Sequence, residues 1–276
     1  MVADLHIHSD YSDGSDSIQI LADKIISSGL NAVALTDHDT TRGIYEIAKL
    51  LPKDIDFIKG IELTCLAENI KCHILGYYIN PDSEALINLI SKGKVLRKIK
   101  LETRIKYLKE VWNIELTPKE KEWLYSRESV VKTHLANILV NRGLSENNLS
   151  AMKKYLDGCK AGDTRFDGKE AIDAIKCAGG VPVWAHPLGG EGEKHISQSD
   201  FLQKLSTMIN LGIQGLECYY SRYTHEEIEF LVKTAKENNL YITGGSDYHG
   251  KNKDIPLGKL NSDNTPIDQK FLSILR

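Results

Sequence analysis

Short apolar runs alternate with longer amphipathic ones along most of the chain, and the two periods predict strands alternating with helices. The predicted strands are Ala3–His8, Ala32–Thr36, Asp56–Glu62, Cys72–Tyr78, Val181–Ala185, Gln214–Tyr219 and Tyr241–Gly244. Several are rich in β-branched and aromatic residues and bounded by Gly, Pro or Asp. Between them, Ile18, Leu21, Ala22, Ile25 and Ile26 recur at helical spacing, with Ser17 placed to cap the start and Gly29 to end it. Asp167 with Glu170, and Thr224 with Glu227, read as capping boxes that open two further helices. Alternation of this kind implies a parallel sheet. Seven strands suggest a barrel related to the eight-stranded kind, and although an open doubly wound sheet also fits, the barrel is the better reading.

The rhythm breaks between Pro81 and Asp163. There the apolar stripes Leu101, Ile105, Leu108, Trp112 and Leu135, Ile138, Leu139 have helical spacing, and no strand pattern appears. The expected organisation is an α/β barrel made of residues 1–80 and 164–276, carrying a helical insertion lobe over residues 81–163.

Composition narrows the class. Of 276 residues, 41% are hydrophobic and 26% charged, which favours a buried core over disorder. The net charge of −3 argues against nonspecific gripping of long nucleic acid, which wants a basic chain. Five cysteines, an odd number with no CxxC pair, suit a reducing compartment rather than a disulfide framework. The start MVADLHIHSD lacks a cationic stretch followed by an apolar core, and no apolar run is long enough for a bilayer. A cytoplasmic protein with no membrane and no obligate protein partner is expected.

In parallel α/β barrels the reacting groups gather at the C-terminal ends of strands. Metal-type side chains recur there. His6 and His8 end the first strand on one face, Asp37 and His38 follow the second, and Glu62 ends the third. His73 lies in the fourth, His186 follows the fifth, Glu217 ends the sixth, and Asp247 and His249 follow the seventh. A lone strand histidine is more often a satisfied core or surface residue than a ligand. Convergence changes that balance, because burying so many polar groups together is costly unless a metal compensates. Imidazole and carboxylate without thiolate point to Mn²⁺, Zn²⁺ or Fe²⁺, Mn²⁺ foremost.

HIHSDYSDG, ALTDHDT, KGIEL, HILGYY, AHP and GSDYHG run in order across nearly the whole chain. They resemble the motifs of the PHP (polymerase and histidinol phosphatase) family, and the helical insertion is most similar to its stand-alone bacterial members. Those hydrolyse the 3′-phosphate of 3′,5′-nucleoside bisphosphates, or AMP, and some trim short RNA from the 5′ end. The family fold is a distorted seven-stranded barrel. Carried over residue by residue, the resemblance implies three divalent ions. His6, His8, Glu62 and Asp247 would hold the first, and Asp13, His38 and His249 the second. Glu62 would bridge to a third, completed by His73 and one more histidine. Glu62, Asp247 and His249 would be the catalytic positions.

That last histidine is a choice between His186, which follows a strand, and His134 in VVKTHLANIL. We assign His186 as ligand and His134 as a phosphate contact, since in the stand-alone members the insertion histidine touches substrate phosphate. The insertion also carries a basic run from Lys92 to Lys109. Such a run is usually a solvated face, but Arg97 and Arg104 could present guanidinium forks to a second phosphate. After AHP, related enzymes often continue with Gly-Arg, whereas this chain has LGGEGEKHIS. His195 and His225 read as surface residues, and Glu217 as a residue that orients a ligand or substrate.

The expected substrate is a small phosphorylated nucleotide, with short RNA or DNA oligonucleotides as further candidates. The ions would turn water into hydroxide for in-line attack on phosphorus. A histidinol-phosphate or other sugar-phosphate phosphatase is the alternative. A non-catalytic metal-binding module ranks last, because degenerate modules lose ligands and every motif position here is filled.

Overall fold

The computed structural model describes residues 1–162, 165–190, 193–260 and 265–275. Every predicted strand is present. In chain order the barrel half runs β1 (Ala3–Ile7), α1 (Ile18–Ser28), β2 (Ala32–Leu35), α2 (Ile44–Leu50), β3 (Asp56–Ala67) and β4 (Ile70–Tyr77). Helices α3 (Glu84–Trp112), α4 (Pro118–Tyr125), α5 (Lys132–Asn141) and α6 (Asn148–Ala151) follow, the last running into a π-helical turn, Met152–Leu156. The chain then returns through β5 (Phe166–Asp167), α7 (Gly168–Cys177), β6 (Val181–Trp184), α8 (Gln198–Leu211), β7 (Gly215–Tyr220), α9 (His225–Glu237) and β8 (Tyr241–Gly245).

Local signals act as expected at most helix ends. Ser17 caps α1 by accepting from the Ile20 amide, and Gly29 closes it in the left-handed conformation, φ 73°. Thr224 and Glu227 form a reciprocal capping box. Asp167 caps α7, but only half of its predicted box forms: the Glu170 carboxylate turns instead to Lys92 of α3, 2.9 Å away.

The sheet order is β1-β2-β3-β4-β6-β7-β8, with short β5 beside β3. Its two ends meet: the His8 amide donates to the Tyr248 carbonyl and the Tyr248 amide to that of His6. Gly245 permits the approach, since a Cβ there would lie 2.3 Å from the His6 Cβ. The result is a nearly closed barrel.

One expectation is corrected. The sheet is not parallel throughout, because β4 runs antiparallel to both β3 and β6. The reason is a hairpin: β3 extends five residues beyond Glu62 and turns through Glu68, φ 54°, and Asn69 straight into β4. The reversal brings the first half of β4, with His73, to the mouth where the parallel strands end.

The main core packs around the sheet, and a second apolar cluster forms among the helices, including Leu101, Leu108, Leu116, Leu124, Leu135 and Leu139. Helix α3 belongs to both. Leu86, Leu89 and Ile90 sit in the main core, while Leu101 and Leu108 sit in the second. The proposed lobe boundary at residues 163 and 164 lies outside the described residues. Among the described residues, no helix is long and apolar enough to cross a membrane.

Candidate metal centre

Strand β1 delivers His6 and His8 to the mouth, both fully buried. The loop after it folds back through Gly14, whose amide donates to the Ser9 carbonyl at 3.0 Å. A Cβ on Gly14 would lie 2.5 Å from the His8 carbonyl oxygen, so the tight return that presents Asp13 needs glycine. Asp37 pins this loop by accepting from the Ser9 amide at 2.7 Å and from the Ser9 and Ser12 hydroxyls at 2.6 Å.

Glu62 stands at the centre. Its Oε2 lies 3.2 Å from His6 Nε2, 3.2 Å from His8 Nε2 and 3.1 Å from His38 Nδ1. Its Oε1 lies 3.0 Å from His73 Nδ1 and 3.2 Å from His186 Nε2. Asp247 Oδ1 lies 3.5 and 3.4 Å from the same nitrogens of His6 and His8. Asp13 Oδ1 lies 3.1 Å from His249 Nε2 and 3.9 Å from His38 Nε2. All nine predicted metal ligands therefore meet at one end of the barrel.

Crowding alone does not make a metal site, but unsatisfied lone pairs do point to one. His6 Nε2, His8 Nε2, Asp13 Oδ1, His38 Nδ1 and Glu62 Oε2 are buried with no hydrogen-bond partner among the described residues. Leaving such atoms unpaired costs about 1–3 kcal/mol each, more for charged groups. They fall into overlapping sets within ligand reach: His8, Asp13, His38, His249; His6, His8, Asp247; and His38, Glu62, His73. The donor set fits divalent ions. The sets differ in detail from the carried-over grouping, since His8 and His38 each reach two of them.

The outer nitrogens are already committed. His6 Nδ1 meets Glu217 Oε1 at 2.8 Å, and His249 Nδ1 meets the Asp247 carbonyl at 2.8 Å. Those acceptors place the proton on Nδ1 and turn Nε2 inward as a lone pair. Glu217, read from sequence as an orienting residue, also accepts the His186 amide at 2.7 Å. Burial would raise the carboxyl of Asp247, but Lys253, 2.5 Å from Oδ2, and the adjoining histidines hold it well below the usual range. His186 and Asp247 both have positive φ, 29° and 57°, a strained backbone state for residues other than glycine and one that clusters at functional sites.

A cavity of about 300 Å³ opens over Asp13, His38 and His73. Its far wall is basic, with Arg97, Lys100, Arg104, Lys132 and Arg165. Arg104 presents a buried Nε with no partner among the described residues. Arg97 is otherwise engaged: its guanidinium pairs with Asp39, donates to Thr64 Oγ1 at 3.2 Å and binds α3 to the mouth. The basic run of α3 is otherwise largely a paired outer face, as in Lys94 with Glu128 and Lys109 with Glu115.

His134 is not among the residues of this cavity. Its Nδ1 accepts the Val131 amide at 3.1 Å, and the ring also hydrogen-bonds the Ser12 backbone. It ties α5 to the Asp13 loop, and its predicted contact with substrate phosphate finds no support in this placement. His195 and His225 are exposed, as expected, each beside a glutamate. Sequence reasoning missed Lys132 and Arg165. Lys132 opens α5 two residues before His134, a signal that was available, whereas nothing local marks Arg165.

The PHP domain family matches residues 4–164. This chain belongs to the PHP family. It is 31% identical to a 5′-3′ exoribonuclease of Haemophilus influenzae over 97% of this chain and 98% of the relative. It is 26% identical to a phosphoribosyl 1,2-cyclic phosphate 1,2-diphosphodiesterase of Eggerthella lenta, over 93% and 97%. With a 3′,5′-nucleoside bisphosphate phosphatase of Chromobacterium violaceum it shares 27% identity, over 89% and 86%. A suggested metal-dependent phosphoesterase of Bifidobacterium adolescentis superposes with a TM-score of 0.82 at 27% identity, covering 98% and 93%. This PHP protein is accordingly a metal-dependent phosphoesterase, and divalent metal ions are its cofactors.

Proposed function

We propose that the protein hydrolyses a phosphate monoester of a small nucleotide, a nucleoside 3′,5′-bisphosphate or AMP, and trims short oligonucleotides from the 5′ end. The observation that carries this reading is the basic wall facing the histidine–carboxylate cluster across one cavity. A substrate with one phosphate on the cluster and a second on Arg104 and its neighbours matches both sides. The names of the relatives agree in kind, each acting on a phosphate ester of a nucleotide, RNA or ribose derivative.

Three ions are proposed. His6, His8, Glu62 and Asp247 hold the first, Asp13, His38 and His249 the second, and Glu62, His73 and His186 the third, with Mn²⁺ preferred over Zn²⁺ and Fe²⁺. Such ions, when bound, acidify water and neutralise charge on phosphoryl oxygens. The chain's own part is placement. Glu62 sets the spacing of the ligands, Glu217 fixes the His6 ring, and the basic wall orients the far phosphate so that the scissile bond points into the cluster.

A phosphate-release screen with Mn²⁺ over AMP, adenosine 3′,5′-bisphosphate, histidinol phosphate and a short RNA tests the reading. Turnover is expected to be fastest on the nucleotides, and Arg104→Met should raise KM for the bisphosphate about tenfold, as loss of one charged hydrogen bond implies. Preference for histidinol phosphate over every nucleotide in the screen would overturn it.

A further inference from the structure

His73 is the common wall of two cavities. The second, of about 420 Å³, shares this one residue with the first among the described residues and continues past His186. Its size falls in the roughly 300–1,000 Å³ range of small-ligand sites. Lys71 of β4, Lys194 of the loop after β6 and Lys204 of α8 line it from separate elements. None of the three is ion-paired among the described residues. Trp184 and Ile196 supply apolar wall, and among the described residues the one acid lining it is Glu193, whose carboxylate accepts the Gly190 amide at 2.8 Å and stands 3.5 Å from His186 Nδ1.

A phosphate monoester has nothing beyond its phosphorus to place in this space. A phosphodiester does. We propose that the second cavity binds the downstream strand of an oligonucleotide, with the nucleoside beyond the reacting phosphorus against its apolar wall and the next phosphates on Lys71, Lys194 and Lys204. The inference rests on the nucleotide reading above. The terminal nucleotide occupies the first cavity, and the strand crosses the cluster at His73.

The bond broken is then the same for both substrates. Water oxygen bonds to phosphorus, the P–O3′ bond breaks, and the proton of water passes to the departing 3′-oxygen. The downstream strand keeps the phosphate as a new 5′-phosphate, so one water is consumed and no other reactant is needed. A bisphosphate differs only in leaving the second cavity empty.

The test uses a 5′-phosphorylated, 3′-fluorescein tetraribonucleotide. Its binding to chelator-treated protein is followed by fluorescence anisotropy across salt, and its kcat/KM with Mn²⁺ is compared with that for adenosine 3′,5′-bisphosphate. In the Lys71→Ala, Lys194→Ala, Lys204→Ala triple variant, affinity and the oligomer-to-bisphosphate ratio should each fall about tenfold or more, with a shallower salt slope. The matching triple arginine variant should restore both. Unchanged affinity and ratio, or equal losses in the alanine and arginine variants, would overturn the proposal. Wild type that hydrolyses neither substrate defeats the nucleotide reading instead, and metal-free binding still decides what the lysines do.

Discussion

Each histidine at the barrel mouth has two ring nitrogens, and the fold commits the outer ones of His6 and His249 to oxygen acceptors. That leaves inward lone pairs which no proton donor meets, the condition a metal relieves. His134 is the contrasting case. Burial pushes its pKa down from 6.5 to about 4, so it stays neutral in the folded protein where an unfolded chain would take up a proton. Its contribution is therefore complete above about pH 6.5 and lost as pH falls toward 4, on the order of 3 kcal/mol over that window. Urea denaturation from pH 7 to pH 4.5 should show a steeper acid loss in wild type than in His134→Gln. The same substitution should leave metal content intact, whereas His186→Ala should lose an ion. If His134→Gln loses the ion and His186→Ala does not, the division of roles between them is wrong.

Helix α3 shows how an element joins two cores. Its 29 residues reach about 44 Å at 1.5 Å per residue, enough to run from the main core through the cavity wall into the helical cluster. Leu108, fully buried in that second cluster, is a direct probe. Leu108→Ala is expected to cost about 2–5 kcal/mol in denaturant unfolding. A loss below about 1 kcal/mol would mean that the second cluster is not a packed core. Elements were legible in the sequence because apolar period and capping residues are local: Ser17, Gly29, Thr224 and the seven strands all act as read. Direction was not. The run from Leu63 to Ala67 lies beyond the strand predicted to end at Glu62, and its pairing with β4 is what makes it part of β3. Nor does helix phase say that Lys100 and Arg104 face the cavity while Lys94 and Lys109 face acids outside.

At the scale of the whole molecule, strand ends in a barrel converge, so predicted ligands 241 positions apart can be read as neighbours, whereas Asp13, in the loop after β1, was predicted from the family resemblance alone. The backing residues were harder to see. Lys253 and Arg165 sit outside the helices and strands, where no period marks their facing. The hydrolysis is proposed to be carried by a metal cluster centred on Glu62. The most direct measurement is phosphate release from adenosine 3′,5′-bisphosphate by chelator-stripped protein titrated with Mn²⁺, alongside Glu62→Gln. Wild type should rise from baseline with metal, and Glu62→Gln should fall at least about a thousandfold below it, as removal of a central charge-stabilising group does. A silent wild type with metal bound, or a Glu62→Gln variant that keeps the wild-type rate, would contradict it.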